Sequence, residues 1–235
     1  MAWSETCGEC AQGQFTAQIG VTKCQECNVG DFQDRWGKTE CKKCDIGRYT
    51  NEKGALTCSQ CLPGFFDDVV ETSECKACAT GQYTTTLGAS QCKGVVAGSA
   101  TAKCAYTDGR GCSSSILCPE GHYSSQDGAV KCKICADGSY SILGGTSCTN
   151  CTAGRYSVWL STCEQCPAGT YSDNAAFECY HCSPGRYSTA ESSECALCPK
   201  HTYNSVHGDT KCIACPNGKV SHEGATTCHG ENFQS

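Results

Sequence analysis

Cysteine pairs recur along this chain at an almost fixed interval. Cys-x-x-Cys pairs begin at residues 7, 24, 41, 58 and 75, each 17 residues after the previous one. After an interruption they resume at residue 132 and continue at 148, 163, 179, 195 and 212, spaced by 15 to 17 residues. Pairs repeated at so regular a period predict tandem copies of one small unit, each packed on its neighbours.

Each unit also carries glycine and an aromatic residue at fixed places. The third residue after the pair is Gly and the fifth is Tyr or Phe, as in Gly13 and Phe15, with His201 and Val220 as exceptions. A second glycine, such as Gly54, often stands four residues before the next cysteine. The first glycine permits a positive φ, the aromatic ring lies on a short strand and covers the disulfide, and the second glycine marks a turn. The unit is therefore predicted to be a two-stranded hairpin that needs bridges and neighbours for stability.

Composition agrees with a covalently stabilised array. Cysteine accounts for 27 of 235 residues, whereas Leu, Ile, Val and Phe together number only 29, too few for a large apolar core. No helical periodicity and no apolar run of bilayer length is present, so no transmembrane segment is predicted. The formal charge of -6 disfavours nucleic acid as a partner. The predicted fold class is small disulfide-rich repeats, an elongated array of short β-hairpins with little or no helix and no conventional hydrophobic core.

The cysteines fit a pairing in which the second cysteine of each pair closes on the first cysteine of the next. Single cysteines, Cys92, Cys118 and Cys228, stand where an array stops or starts, as this scheme requires, and two further cysteines within the interruption can pair with each other. Connectivity is not fixed by sequence alone. The predicted bridges are Cys10–Cys24, Cys27–Cys41, Cys44–Cys58, Cys61–Cys75 and Cys78–Cys92 (hairpins 1–5), Cys118–Cys132, Cys135–Cys148, Cys151–Cys163, Cys166–Cys179, Cys182–Cys195, Cys198–Cys212 and Cys215–Cys228 (hairpins 6–12), and Cys104–Cys112 in the interruption.

Cys7 is left over in this scheme. It is the closing half of a hairpin that lies upstream in a longer chain, or it is free, or it bridges to another molecule. The first residues lack the features of a signal peptide, which agrees with a start inside a longer array. The predicted organisation is a first block of five hairpins at 7–92, an irregular insert or hinge at 93–117, and a second block of seven hairpins at 118–228.

Two runs carry a family resemblance. Cys166-Pro167-Ala168-Gly169-Thr170-Tyr171 through Cys179, and Cys61-Leu62-Pro63-Gly64-Phe65-Phe66 through Cys75, resemble the ephrin-receptor-like cysteine-rich repeat and the first disulfide loop of tumour-necrosis-factor-receptor modules. The resemblance implies one disulfide loop per unit. It also implies an extracellular setting, where such repeats serve as spacers and binding surfaces. Unlike a tumour-necrosis-factor receptor, this chain uses one loop type throughout.

Metal binding is the main alternative to a disulfide scaffold. Cys7, Cys10, Cys24 and Cys27 roughly fit a four-cysteine zinc spacing. Eleven pairs do not group into fours, however, so a thiolate metal-binding protein remains a remote alternative. No catalytic or cofactor motif is present. The sequence thus predicts no catalytic, cofactor-binding or metal-ligating residue.

Four further residues are candidates for modification or binding. Asn150-Cys151-Thr152 is a glycosylation sequon, which makes Asn150 a candidate glycan acceptor. Trp3, Trp36 and Trp159 are either exposed binding residues or rings that cover a disulfide.

The predicted function is a non-enzymatic scaffold for structure and protein–protein interaction, an extracellular spacer or adhesive segment of a larger protein. The alternative is a lumenal structural subunit that bridges a multiprotein assembly. Its partners are other proteins, within a large assembly in the alternative case. Because disulfides persist in oxidising compartments, the predicted location is extracellular, at the cell surface, or in another oxidising lumen.

Overall fold

A computed structural model describes residues 8–18 and 23–230, and this part of the chain contains 26 strands and no helix. Cys7 and Trp3 lie outside the described residues. The strands are β1 Gln14–Phe15, β2 Gln25–Glu26, β3 Asp31–Phe32, β4 Lys42–Lys43, β5 Arg48–Tyr49, β6 Ser59–Gln60, β7 Phe65–Phe66, β8 Lys76–Ala77, β9 Gln82–Tyr83, β10 Lys93–Gly94, β11 Ser99–Cys104, β12 Cys112–Leu117, β13 His122–Tyr123, β14 Lys133–Ile134, β15 Ser139–Tyr140, β16 Thr149–Asn150, β17 Arg155–Val158, β18 Thr162–Gln165, β19 Thr170–Tyr171, β20 Tyr180–His181, β21 Arg186–Tyr187, β22 Ala196–Leu197, β23 Thr202–Tyr203, β24 Ile213–Ala214, β25 Lys219–Val220 and β26 His229–Gly230.

Each repeat is an antiparallel hairpin of two very short strands. In most repeats the first strand carries the aromatic residue, and the second consists of the two residues between the cysteines of a Cys-x-x-Cys pair. In hairpin 8 both strands are four residues long. In hairpin 3, for example, Arg48 is opposite Gln60 and Tyr49 is opposite Ser59. Strands β9 to β12 instead form one four-stranded sheet in the order β10-β9-β12-β11. The predicted fold class, a disulfide-rich array of short hairpins, is confirmed.

The described residues group into two compact units. Unit 1 runs as far as Ile116 and also takes in Gln126–Lys131, the tip of hairpin 6. Unit 2 consists of Leu117–Ser125 and the residues described from Cys132 onward.

Backbone hydrogen bonds join consecutive hairpins within each unit. In unit 1, the Gly30 amide donates to the Thr50 carbonyl at 2.9 Å, and the Thr50 amide donates to the Thr72 carbonyl at 3.2 Å. In unit 2, the Gly154 amide donates to the Ser172 carbonyl at 2.9 Å. The short strands of one hairpin therefore find their remaining backbone partners in the next, as expected of a repeat array.

The buried interior consists mainly of sulfur and polar groups. The opening cysteines of most hairpins are fully buried, and three of the four largest fully buried side chains are polar, namely Gln33, Asn204 and Asp67. The fourth is Val95, which is 2% exposed. No conventional hydrophobic core exists in the described chain, as the low content of aliphatic residues predicted.

Residues 93–117 follow the hydrogen-bonding pattern of a repeat without its usual bridge. The Val95 amide donates to the Gly81 carbonyl at 3.0 Å, just as the Cys78 amide donates to the Gly64 carbonyl at 2.9 Å. Strand β12 lies parallel to β9. The disulfide of this segment joins Cys104 and Cys112 and does not involve position 95. Val95 therefore stands where other hairpins have their opening cysteine.

Candidate functional site

Disulfides connect the two ends of every hairpin loop. Each of the twelve hairpins has one bridge between its opening and closing cysteines, with Cα–Cα distances of 5.6 to 5.8 Å. In the thirteenth bridge, Cys104–Cys112, this distance is 3.8 Å. All cysteines from Cys10 to Cys228 are thus in disulfides, so none of these sulfurs is a thiolate that could bind a metal.

The first glycine has two roles in most repeats. It has a positive φ, and in hairpins 1–3 and 6–10 it also lies against the tip of the hairpin two repeats further along the chain. A Cβ atom on Gly169 would lie 2.0 Å from the Gly208 carbonyl oxygen, and one on Gly47 would lie 2.1 Å from the Gly88 carbonyl oxygen. Side chains are thus excluded by close packing, and three successive hairpins form one packing unit.

The same packing accounts for the exceptions at the end of the array. His201 replaces the glycine in hairpin 11 and keeps its positive φ of 67°. In hairpin 12, a Cβ atom on Gly218 would meet nothing within 4 Å. The described chain has no hairpin two repeats beyond either position, so bulk is tolerated there.

A buried polar residue follows the aromatic position in the repeats, a feature that the sequence analysis missed. Eleven of these twelve residues are buried and Thr16 is half-buried. In unit 2 most of these side chains donate to a backbone carbonyl of the preceding hairpin, as Ser172 Oγ does to the Arg155 carbonyl at 2.9 Å and Asn204 Nδ2 does to the Arg186 carbonyl at 2.8 Å. Ser157 Oγ instead accepts from the Gly138 amide at 3.1 Å. We call this set the polar column: Thr16, Gln33, Thr50, Asp67, Thr84, Ser124, Ser141, Ser157, Ser172, Ser188, Asn204 and Ser221.

Glutamates replace the tip glycine in two hairpins and pair with bases from earlier repeats. Glu71 and Glu191 have φ values of 64° and 60°. Glu71 forms an ion pair with Lys43, whereas Glu191 accepts from Arg155 Nε at 2.6 Å and from Gln165 Nε2 at 2.7 Å. These contacts join hairpins two repeats apart, parallel to the glycine contacts.

Most charged side chains among the described residues are exposed, whereas Asp67 is fully buried. Burial raises the pKa of Asp31, Glu71 raises this pKa further, and Lys43 opposes the change. The hydrogen bond from Lys42 lowers the pKa of Asp34. Within the described residues, no group of three or more His, Cys, Asp or Glu side chains is placed to hold a metal ion.

Several exposed side chains are available for contacts. Trp159 is 91% exposed and Trp36 is 59% exposed, so both rings are accessible to a binding partner. Asn150 is exposed on β16, opposite Ser139 on β15. Elsewhere, a groove of about 230 Å³ is lined by Tyr49, Leu62, Phe65, Glu74 and Cys75.

Comparisons with known proteins agree with this geometry. A search of curated proteins finds no match. Among the described residues, no helix has the length and apolarity needed to cross a bilayer. The family model described as tyrosine-protein kinase ephrin type A/B receptor-like matches residues 17–57, 30–74, 47–94 and 185–229, which together cover more than half of the chain. The chain belongs to this ephrin-receptor-like family.

Proposed function

We propose that this chain is a non-enzymatic scaffold, an extracellular spacer or adhesive segment of a larger protein. The main support is that every cysteine from Cys10 to Cys228 is in a disulfide bond. The chain also belongs to a family of cysteine-rich repeats. Stability then depends on oxidation, since sulfur and polar groups replace an aliphatic core. The exposed tips and strand edges provide surfaces for protein partners.

An oxidising location follows from the same reasoning. In a reducing cytosol the hairpins would lose the loop closures, each of which contributes roughly 3 kcal/mol in the chain-entropy model. The remote alternative, a protein that binds metal through cysteine thiolates, requires free cysteines. We therefore place the chain outside the cell or in another oxidising lumen, and we propose Asn150 as a glycan acceptor there because its side chain is exposed.

Secretory expression tests this function. We expect the secreted chain to be protease-resistant and free of zinc, and to lose its resistance when reductant is added. Peptide mapping under non-reducing conditions should return the bridges of hairpins 1–12 and the Cys104–Cys112 bridge. Glycosidase treatment should lower the mass of the parent chain and leave the mass of the Asn150→Gln variant unchanged. A folded chain with free thiols and stoichiometric metal would overturn the scaffold proposal.

A further inference from the structure

Trp159 is a protruding apolar side chain at the tip of hairpin 8. It lies between β17 and β18, in the turn closed by the hydrogen bond from the Ser161 amide to the Val158 carbonyl at 3.1 Å. With 91% of its surface exposed, its indole contributes almost nothing to burial within its own unit. Stability therefore does not explain a tryptophan here.

The backbone of this turn is unfavourable for its residues. Trp159 and Leu160 have φ values of 51° and 60°. A turn with positive φ at both central residues normally selects Asn-Gly, because a Cβ atom is costly there. Such strained backbone concentrates at functional sites, where the surrounding structure holds it in place.

Neighbouring hairpins hold the turn in a fixed position. The Leu160 carbonyl accepts from the Ser141 amide at 3.0 Å. Leu160 also packs at the first glycine of hairpin 6, where its Cβ atom would lie 2.9 Å from a Cβ atom built on Gly121. Trp159 is thus presented by a rigid support, which lowers the entropy lost when the indole binds.

The groove in unit 1 has the size and chemistry to receive an indole. Its volume of about 230 Å³ exceeds the roughly 150 Å³ of a cavity that binds benzene. Tyr49, Leu62 and Phe65 provide apolar walls, and Leu62 is 64% exposed although it is a large aliphatic residue. Glu74 supplies a carboxylate that can accept the indole N–H, which usually finds a partner when it is buried.

We propose that Trp159 of one copy of this chain inserts into the Tyr49–Leu62–Phe65 groove of a second copy. This inference rests on the proposed adhesive function and names its partner. One side chain fills the groove, and tryptophan is the residue type most enriched among interface hot spots. The protruding residue and the groove are different surfaces of one chain. The contact can therefore form reciprocally in a closed dimer, or head to tail in chains or rings.

Sedimentation of the full chain over a concentration series tests the contact. We expect the parent chain to self-associate as its concentration rises. Trp159→Ala and Leu62→Glu should each weaken self-association by ~30-fold or more, as removal of a hot spot does. Trp36→Ala is the matched control, because it removes an exposed tryptophan at another tip, and it should associate like the parent.

A mixing experiment then separates this contact from any symmetric one. Trp159→Ala retains the groove and Leu62→Glu retains the tryptophan, so the two variants together should form a one-to-one complex that does not grow. A parent chain that stays monomeric, or assembly that persists in Trp159→Ala, overturns the proposal. Trp159 would then serve a lipid surface or an unrelated protein. A monomer with all its disulfides and full protease resistance would contradict the Trp159 contact but agree with the scaffold function. Failure of the contact can therefore be told apart from failure of the scaffold proposal.

Discussion

At the scale of single residues, the repeat depends on where a Cβ atom is allowed. Gly169 and Gly218 occupy the same place in their repeats and have similar φ values, 85° and 74°. Only Gly169 has the tip of a later hairpin against it. Sequence could predict the positive φ, but the close approach depends on packing between repeats, which one repeat taken alone does not reveal.

This pair gives a matched prediction. Gly218→Ala should cost about 1 kcal/mol of unfolding free energy, the ordinary cost of alanine at positive φ. Gly169→Ala adds a Cβ atom 2.0 Å from the Gly208 carbonyl and should cost roughly 3 kcal/mol or more. Thermal unfolding monitored by circular dichroism compares them under oxidising conditions. Equal losses would contradict the packing of hairpin 9 on the tip of hairpin 11.

Asp31 gives a prediction with a definite pH dependence. Its pKa is raised in the folded state, chiefly by burial, and its Oδ1 atom is buried without a hydrogen-bond partner. A raised carboxyl pKa favours folding below the unfolded pKa, and this contribution is lost as the pH rises through the folded pKa. Asp31→Asn should therefore raise the melting temperature at neutral pH, with a gain that disappears below about pH 4.

Asp34→Asn is the control for this titration. The Lys42 hydrogen bond lowers the pKa of Asp34, so its contribution is present above the unfolded pKa and is lost as the pH falls through the folded pKa. The variant should be slightly less stable than the parent at neutral pH. Melting curves that shift in the same direction for both variants would refute this assignment.

At the scale of the element, a hairpin is an incomplete structure that its neighbours finish. The cysteine period and the Gly-x-aromatic motif were enough to predict hairpins and their approximate bounds. The polar column could not be predicted in the same way, because Ser, Thr and Asn in short strands are usually exposed. The available signal was the polar residue that follows each aromatic position, as at Ser172 and Ser188.

Asn204 tests the polar column. Its side chain donates to the Arg186 carbonyl at 2.8 Å and accepts from the Val206 amide at 2.9 Å, and it is fully buried. Asn204→Ala leaves both backbone groups without their partner and should cost about 2–3 kcal/mol. Asn204→Ser, which restores the residue found in several other hairpins, should recover part of this loss. The same thermal measurement on Ser205→Ala, at an exposed neighbouring position, should show almost no change.

At the scale of the whole molecule, stability is distributed along the chain. Contacts reach one hairpin ahead through the polar column and two hairpins ahead through the glycines and tips. We propose that residues 93–117 take part in this pattern as a repeat, in which Val95 replaces the opening cysteine and Thr101, buried like the polar column, follows Ala100. Sequence alone suggested a break there, because the signature was defined by cysteine and not by the hydrogen bonds that the segment retains.

Such an array should respond locally when one bridge is lost. Replacement of Cys198 and Cys212 by Ser removes the bridge of hairpin 11, which closes a loop of 14 residues and should cost roughly 3 kcal/mol. Because hairpin 11 contacts hairpins 9, 10 and 12, amide exchange should accelerate across 166–228. Residues 27–75 should keep their protection, since stability in a linear array is nearly a sum of local terms.

The matched control removes Cys104 and Cys112, whose bridge closes a loop of only 8 residues. Exchange should then accelerate around 78–128 and remain unchanged across 182–228. Uniform acceleration along the chain in either variant would mean that the array unfolds as one cooperative body, and the nearest-neighbour description would be wrong. Local acceleration in both would show that each disulfide protects its own hairpin and those within two repeats. A chain stabilised in this way can vary in repeat number without redesign of a common core.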